Sequence, residues 1–272
     1  MKRLLFTILM LLAIMEISAQ PSSIFGTQDF YDILFRQSVK SCDEFMCRFN
    51  EEEYFPDLKK DDPQLGQKNF LFLFDYELAN GKDRNVFLKS IYSFYDAVKA
   101  NHAKLKYESK NWYAEQRLSF LYKKKSVEIS LIFQTEESVK KLPSWTIVGV
   151  KGMEKVGFDN SDKRMSISPE QNEAEFMELE SIFKFNSKSV SQFRSNKLQL
   201  DALSYFFALV ESGALTFEGR ISTSYHFFDV PSYMFTVSFY SRKKSNSGWL
   251  ISDFKKVNQE EKKTIIYKLL GK

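Results

Sequence analysis

Apolar positions recur along this chain at two periods, and the periods alternate in blocks. Helical spacing runs through Phe30, Ile33, Leu34, Phe45, Met46 and Phe49, and again through Phe87, Leu88, Ile91, Phe94, Tyr95 and Val98, predicting helices over 28–50 and 84–100. Between them lies a polar loop, Glu51 to Asp62, ended by Pro63, and then an apolar stretch from Phe70 to Leu78 that predicts a short helix. Period-two alternation follows and predicts strands near 103–108, 112–123, 126–135 and 144–151, with a tight Lys-rich turn at 123–126. The same order returns downstream: helices over 170–184 and 196–212, strands near 214–218, 220–229, 232–242 and 248–257, and a closing amphipathic helix over 259–270. Strands apolar on one face and polar on the other predict an antiparallel sheet with helices on one side and water on the other.

The return of the pattern extends to residue identity. Ile91-Tyr92-Ser93-Phe94-Tyr95-Asp96-Ala97-Val98 resembles Leu203-Ser204-Tyr205-Phe206-Phe207-Ala208-Leu209-Val210 position for position, and Leu105-Lys106-Tyr107-Glu108 is answered by Leu215-Thr216-Phe217-Glu218. Val127, Ile129, Leu131 and Phe133 correspond to Tyr233, Phe235, Val237 and Phe239, and Trp145-Thr146-Ile147 to Trp249-Leu250-Ile251. The offset falls steadily from the first match to the last, as short loop deletions in the second copy require. Four matches in register predict duplication of one helix-and-strand unit. The competing reading is a single large α+β domain.

The N-terminus reads as a secretory signal: Met1-Lys2-Arg3, an apolar run from Leu4 to Met15, and Ser18-Ala19 before a predicted cleavage point. That run is shorter than a membrane-spanning helix needs, and no Cys follows it for lipid attachment. The expected location is therefore the periplasm or the cell exterior, with no integral membrane segment in the mature chain. Expected boundaries are 1–19 for the signal, 20–152 for the first unit, 153–169 for a linker and 170–272 for the second unit.

A helix pair followed by long antiparallel strands that end in Trp145-Thr146-Ile147-Val148-Gly149-Val150, and again in Trp249-Leu250-Ile251-Ser252-Asp253-Phe254, resembles the NTF2-like fold. The resemblance implies an α+β chain of two tandem NTF2-like units, each with helices packed on a curved antiparallel sheet. With Phe45-Met46-Cys47-Arg48-Phe49-Asn50 and Leu73-Phe74-Asp75-Tyr76-Glu77, the chain is also similar to uncharacterised exported proteins of Bacteroidetes-type bacteria. That superfamily holds isomerases, dehydratases and cyclases beside noncatalytic binding and assembly domains, so the fold does not choose a function.

Composition narrows the chemistry. Twenty-seven Phe stand against two His and two Cys, which supplies core volume but few ligands for a zinc cluster or a disulfide scaffold. A net charge of +4 is too small to imply nucleic acid, and the runs Lys123-Lys124-Lys125 and Arg242-Lys243-Lys244 read as solvated hairpin turns. Cys42 and Cys47, five apart on a predicted helix, stand about 7.5 Å apart along its axis and cannot pair with each other, so two unpaired thiols are expected, at least one buried. Glu51-Glu52-Glu53 and Asp61-Asp62 lack the spacing of an EF-hand loop, and His102 reads as a helix cap.

One polar stripe stands out. At the offset of the strand match, Leu118 and Phe120 are replaced in the second copy by Ser224 and His226, with Ser222 two residues earlier. If these faced the interior of the second unit, they would line a ligand site in which His226 serves as base or orienting group. A register slip of one would instead put Tyr225 and Phe227 inside. No catalytic residue, metal ligand or cofactor is assigned. The expectation is a noncatalytic binding protein for a small molecule, a glycan or a protein partner. The alternative is an isomerase, lyase or hydrolase in the second unit, and a homodimeric assembly role stands as a third reading.

Overall fold

The computed structural model describes residues 38–79, 83–137, 143–158, 201–242 and 245–271. Helix α1 (Cys42–Phe49) begins where the Ser41 hydroxyl accepts from the Glu44 N–H, so the predicted first helix does not extend through 38–41; residues 28–37 lie outside the described ones. Helix α2 (Leu65–Phe72) and a 3-10 turn (Tyr76–Ala79) occupy the short apolar stretch, and α3 (Arg84–Ala100) matches its prediction. Asp83 caps α3 at its start. At its end His102 takes a left-handed φ of 48° while Ala103 N–H bonds Val98 O and His102 N–H bonds Lys99 O, a Schellman closure.

Strands β1 (Trp112–Tyr122), β2 (Lys125–Glu137) and β3 (Pro143–Lys151) follow, then helix α4 (Ala202–Glu211) capped by Asp201. Strands β4 (Leu215–Phe227), β5 (Tyr233–Tyr240) and β6 (Gly248–Lys256) lead into helix α5 (Gln259–Leu269). Two strands expected over 214–229 are one. The strand expected at 103–108 is a loop, because Asn50 claims its backbone: Leu105 N–H donates to Asn50 Oδ1 at 2.8 Å, and Asn50 Nδ2 donates to Leu105 O at 3.0 Å. The predicted helix over 170–184 and most of the linker lie outside the described residues. The linker's first residues form a 3-10 turn, Met153–Val156, with Met153 and Val156 buried.

The six strands make one antiparallel sheet in the order β3-β2-β1-β4-β5-β6. This order is two three-stranded meanders set back to back, each preceded in sequence by a matched helix. The described residues divide into two compact units that are discontinuous in sequence, whereas the sequence reading cut the chain once, between 152 and 170. The first takes the described residues of Met1–Glu115, Gln134–Thr146 and Thr223–Ile265; the second takes those of Gln116–Phe133, Ile147–Ser222 and Ile266–Lys272.

Each unit has its own core, and each core pairs a helix from one sequence copy with strands from the other. In the first unit Phe94 of α3 stacks on Tyr233 at 4.7 Å and Phe254 at 5.8 Å and meets Phe235 at 5.5 Å, all on β5 and β6. In the second unit Phe206 of α4 sits edge-on to Phe120 of β1 at 5.8 Å, within a cluster that includes Leu118, Ile129 and Leu131. The expectation that each copy folds its helices onto its own sheet is therefore corrected. A hydrophobic face marks what a strand buries but not which equivalent helix covers it.

Other contacts within the first unit fix its edges. Arg242, expected in a solvated turn, forms a bidentate pair with buried Asp75, with Nη1 at 2.5 Å from Oδ1 and Nη2 at 3.0 Å from Oδ2. Val39 bridges Gly248 at the outer edge of β6, and Trp249 N–H donates to Val39 O at 2.8 Å. A Cβ on Gly248 would meet Val39 backbone at 2.2 Å, which is why only glycine fits there. Among the described residues no helix is long and apolar enough to cross a membrane.

Candidate functional site

The register of β4 decides where the predicted stripe points. Phe227 is fully buried and stacks on Trp112 at 5.4 Å and Phe235 at 4.9 Å, with Phe45 of α1 at 6.2 Å, so it takes the helix-covered face. His226 and Ser224 alternate with it and lie on the opposite face of the sheet. The interior placement expected for Ser224 and His226 is thus reversed by a one-residue slip relative to the first copy. Ser222 belongs to the second compact unit, so the three residues do not form one described site.

Within the first unit, two polar chains cross the strands. His226 pairs with Thr236 across the β4–β5 ladder, with Nδ1 at 3.0 Å from Thr236 Oγ1, while Nε2 lies 3.0 Å from Glu115 Oε2 of β1. Ser224 Oγ lies 3.0 Å from Ser238 Oγ, which lies 2.9 Å from Ser252 Oγ, and Ser252 donates to Thr236 O at 3.2 Å. A bulge in the β5–β6 pairing at Thr236 and Val237 makes the last link possible. Glu115 was missed from the sequence because its approach to His226 depends on the β1–β4 pairing, which no local pattern encodes.

Thr236, His226 and Glu115 stand in the order hydroxyl, imidazole, carboxylate, which a nucleophile, a base and its orienting acid also show. Thr236, however, is a mid-strand residue paired on both sides, with His226 and Asp253. A strand held in two ladders commits its backbone N–H groups to them, which leaves few to bind an oxyanion.

The helix-side face carries a different feature. All three Trp of the chain meet around Tyr225 in the first unit. Trp145 of β3 contacts Trp112 of β1 at 4.8 Å and Tyr225 of β4 at 6.5 Å; Tyr225 contacts Trp249 of β6 at 4.9 Å, and Trp249 contacts Phe239 of β5 at 5.5 Å. Trp112 is the buried floor, its Nε1 donating to Tyr107 O, whereas Trp145 is 44% exposed and Phe239 52%. Tyr225 and Trp249 are half-buried. Tyr107 extends the run, 5.7 Å from Trp112, and its hydroxyl donates to Asp43 Oδ1 at 3.3 Å. Burial raises the Tyr107 phenol above its ordinary range, assisted by the Asp43 carboxylate that it donates to, so it stays a donor at neutral pH. Rings at these separations touch one another, which makes a platform and not a cage. Trp145 and Trp249 hold matching places in the two sequence copies, but only the cross-strand packing brings them together.

Neither cysteine is bonded, as expected, though both are half-buried. Burial, with the Asp43 charge, pushes the Cys42 thiol up to about 12, far from the range of a nucleophilic cysteine. Glu51 accepts from Tyr95 Oη at 3.0 Å and pairs with Lys99, and Glu52 pairs with Lys104, so these loop acids tie the loop down.

Comparison with protein-family models, with curated proteins and with solved structures finds no match to this chain.

Proposed function

We propose that this chain is an exported, noncatalytic binding protein, built by duplication of an NTF2-like helix-and-sheet unit, whose ligand contacts the aromatic platform of the first compact unit. The observation that carries the reading is the partly exposed run Trp145, Tyr225, Trp249 and Phe239 over a buried Trp112. Large rings left in contact with water lose the burial that aromatic side chains ordinarily gain, and such patches mark binding surfaces. Two matched copies of a helix and a meander, set back to back in one sheet, support the duplication. The N-terminal signal pattern supports export.

Intrinsic tryptophan fluorescence tests the reading, since every indole of the chain lies in the platform. A bound ligand should change that emission saturably, and Trp145→Ala should weaken it. A ligand that binds by calorimetry yet leaves the emission and the Trp145→Ala variant unaffected would place the site elsewhere.

A second reading rests on the Thr236, His226 and Glu115 chain, which would make the first unit a hydrolase. Hydrolysis of a p-nitrophenyl ester, lost in both Thr236→Val and His226→Gln, would favour it. Activity that survives either substitution would remove it.

A further inference from the structure

We propose that the occupant of the ring face in the first compact unit is this chain's own N-terminal segment, with Phe30, Ile33 and Leu34 resting on Trp145, Trp249 and Phe239 until a ligand displaces them. The displacement rests on the platform reading; the occupancy does not. Three observations carry it.

First, the chain enters at this face. Val39, wholly buried, is held in a parallel bridge beside Gly248: its N–H donates to Ser247 O at 3.4 Å and its carbonyl accepts from Trp249 N–H at 2.8 Å. The backbone that precedes Ser38 therefore starts at the edge of the platform, one residue from a direct bond to Trp249. Phe30 stands eight residues before Ser38, a reach of about 12 Å at helical rise and roughly 28 Å fully extended. Either reach spans rings whose steps are 4.9 Å from Trp249 to Tyr225, 6.5 Å from Tyr225 to Trp145 and 5.5 Å from Trp249 to Phe239.

Second, the cover of this face thins out where α1 begins. Phe227 of β4, Phe235 of β5 and Ile251 of β6 are buried, with Phe45 of α1 on the first two and Phe49 stacked on Phe235 at 5.3 Å. Tyr225, Phe239 and Trp249 lie farther along the same face of the same strands, and exposure rises there to 52% at Phe239. Asp43, in the first turn of α1, accepts from Tyr107, whose ring meets Trp112 beneath the platform. The residues that precede α1 are thus the next stretch of chain along this face.

Third, the exposed area suits a short segment and not a second copy. Trp145 and Phe239, at 44% and 52% exposure, offer together about 200 Å² of ring surface, against the roughly 800 Å² per partner that a stable protein–protein interface buries. A few apolar side chains cover such an area, and Phe30, Ile33 and Leu34 recur at the spacing of one helix face just before Ser38.

The test uses the mature chain, from Gln20, with the photoreactive analogue benzoylphenylalanine in place of Phe30, irradiated and then mapped by tandem mass spectrometry. The expected result is a link within one chain to Trp145, Trp249, Phe239 or a residue next to one of them in sequence, and a weaker link when the analogue replaces Tyr31, which falls off that spacing. Links only to other parts of the chain, or no link from a chain with a cooperative thermal transition, would overturn the proposal. So would a product of twice the mass, which would put a second copy on the face. Displacement is read with 1-anilinonaphthalene-8-sulfonate, a dye whose emission rises on apolar surfaces. A segment that covers the face about nine-tenths of the time weakens apparent dye affinity about tenfold, so Phe30→Ser with Leu34→Ser should tighten binding by that factor, and a further Trp145→Ala should cancel the gain. Equal dye affinity in the double variant and the wild type would overturn the occupancy. A mapped link to the rings, with a ligand that later binds without touching them, would leave the occupancy standing and overturn only the platform reading.

Discussion

Phe94→Ala probes the exchange of helices between the two sequence copies. Phe94 is wholly buried, stacked between Tyr233 and Phe254, and in edge contact with Phe70 at 5.3 Å and Phe74 at 6.3 Å. Truncation removes the ring's transfer free energy and leaves a cavity among six aromatic neighbours, counted over the described residues, that cannot all collapse into it. The cost should lie at the upper end of the usual range, about 4 to 5 kcal/mol, with a fall in melting temperature of roughly 10 °C or more. Phe206→Ala, whose ring has one cross-element aromatic partner among the described residues, Phe120, should cost less, about 3 kcal/mol. Hydrogen exchange read by mass spectrometry separates the two. Phe94→Ala should raise exchange in β5 and β6, belonging to the other copy, and spare the 116–122 part of β1; Phe206→Ala should do the reverse. Loss of protection in β2 and β3 together with α3 after Phe94→Ala would refute the exchanged packing.

Buried Lys262 donates to Phe228 O at 2.7 Å and Val230 O at 2.6 Å, and Lys262→Met, which takes that donor from Phe228 O and leaves Val230 O with the Tyr233 N–H, should cost about 1 to 3 kcal/mol by urea denaturation. Desolvation, only partly offset by Asp229, lowers this ammonium's pKa below its ordinary value. The folded state therefore releases a proton that the unfolded chain still holds. Wild-type stability should gain with pH between the lowered pKa and the ordinary one near 10.5, a gain that Lys262→Met lacks; identical slopes would refute it. Cys42, with its thiol pushed up to about 12, should react with iodoacetamide at pH 8 far more slowly in the native protein than in urea, as mass spectrometry would show; equal rates would contradict its burial. The β1–β2 hairpin turns on Lys123 and Lys124 at φ of 49° and 65°, so Lys124→Gly should stabilise by about 0.5 to 1 kcal/mol in the same denaturation assay.

What could be read in advance follows from which interactions are local. The α3 limits, the turn at Lys123-Lys124 and the cap at His102 depend on residues within one helix turn or one hairpin, and the sequence pattern carries them. The β4 face failed because period-two alternation in Ser222-Thr223-Ser224-Tyr225-His226-Phe227 offers two faces of similar plausibility. Phe45, Trp112 and Phe235, distant in sequence, choose between them by stacking on Phe227. Arg242 looked like turn charge because its partner Asp75 is far away in sequence, and Glu115 was invisible beside His226 for the same reason. The platform was half legible: Trp145 and Trp249 were found as repeat equivalents, but their convergence on Tyr225 is a product of strand order.

The most direct test of the binding account is the set of three indole N–H resonances, followed in a proton–nitrogen correlation spectrum while a ligand found by the fluorescence titration is added. Trp145 and Trp249 should shift together and saturate at one concentration, while Trp112, whose N–H is held by Tyr107 O, moves less. Shifts confined to backbone amides around Thr236 and His226, with all three indoles unmoved, would contradict the account.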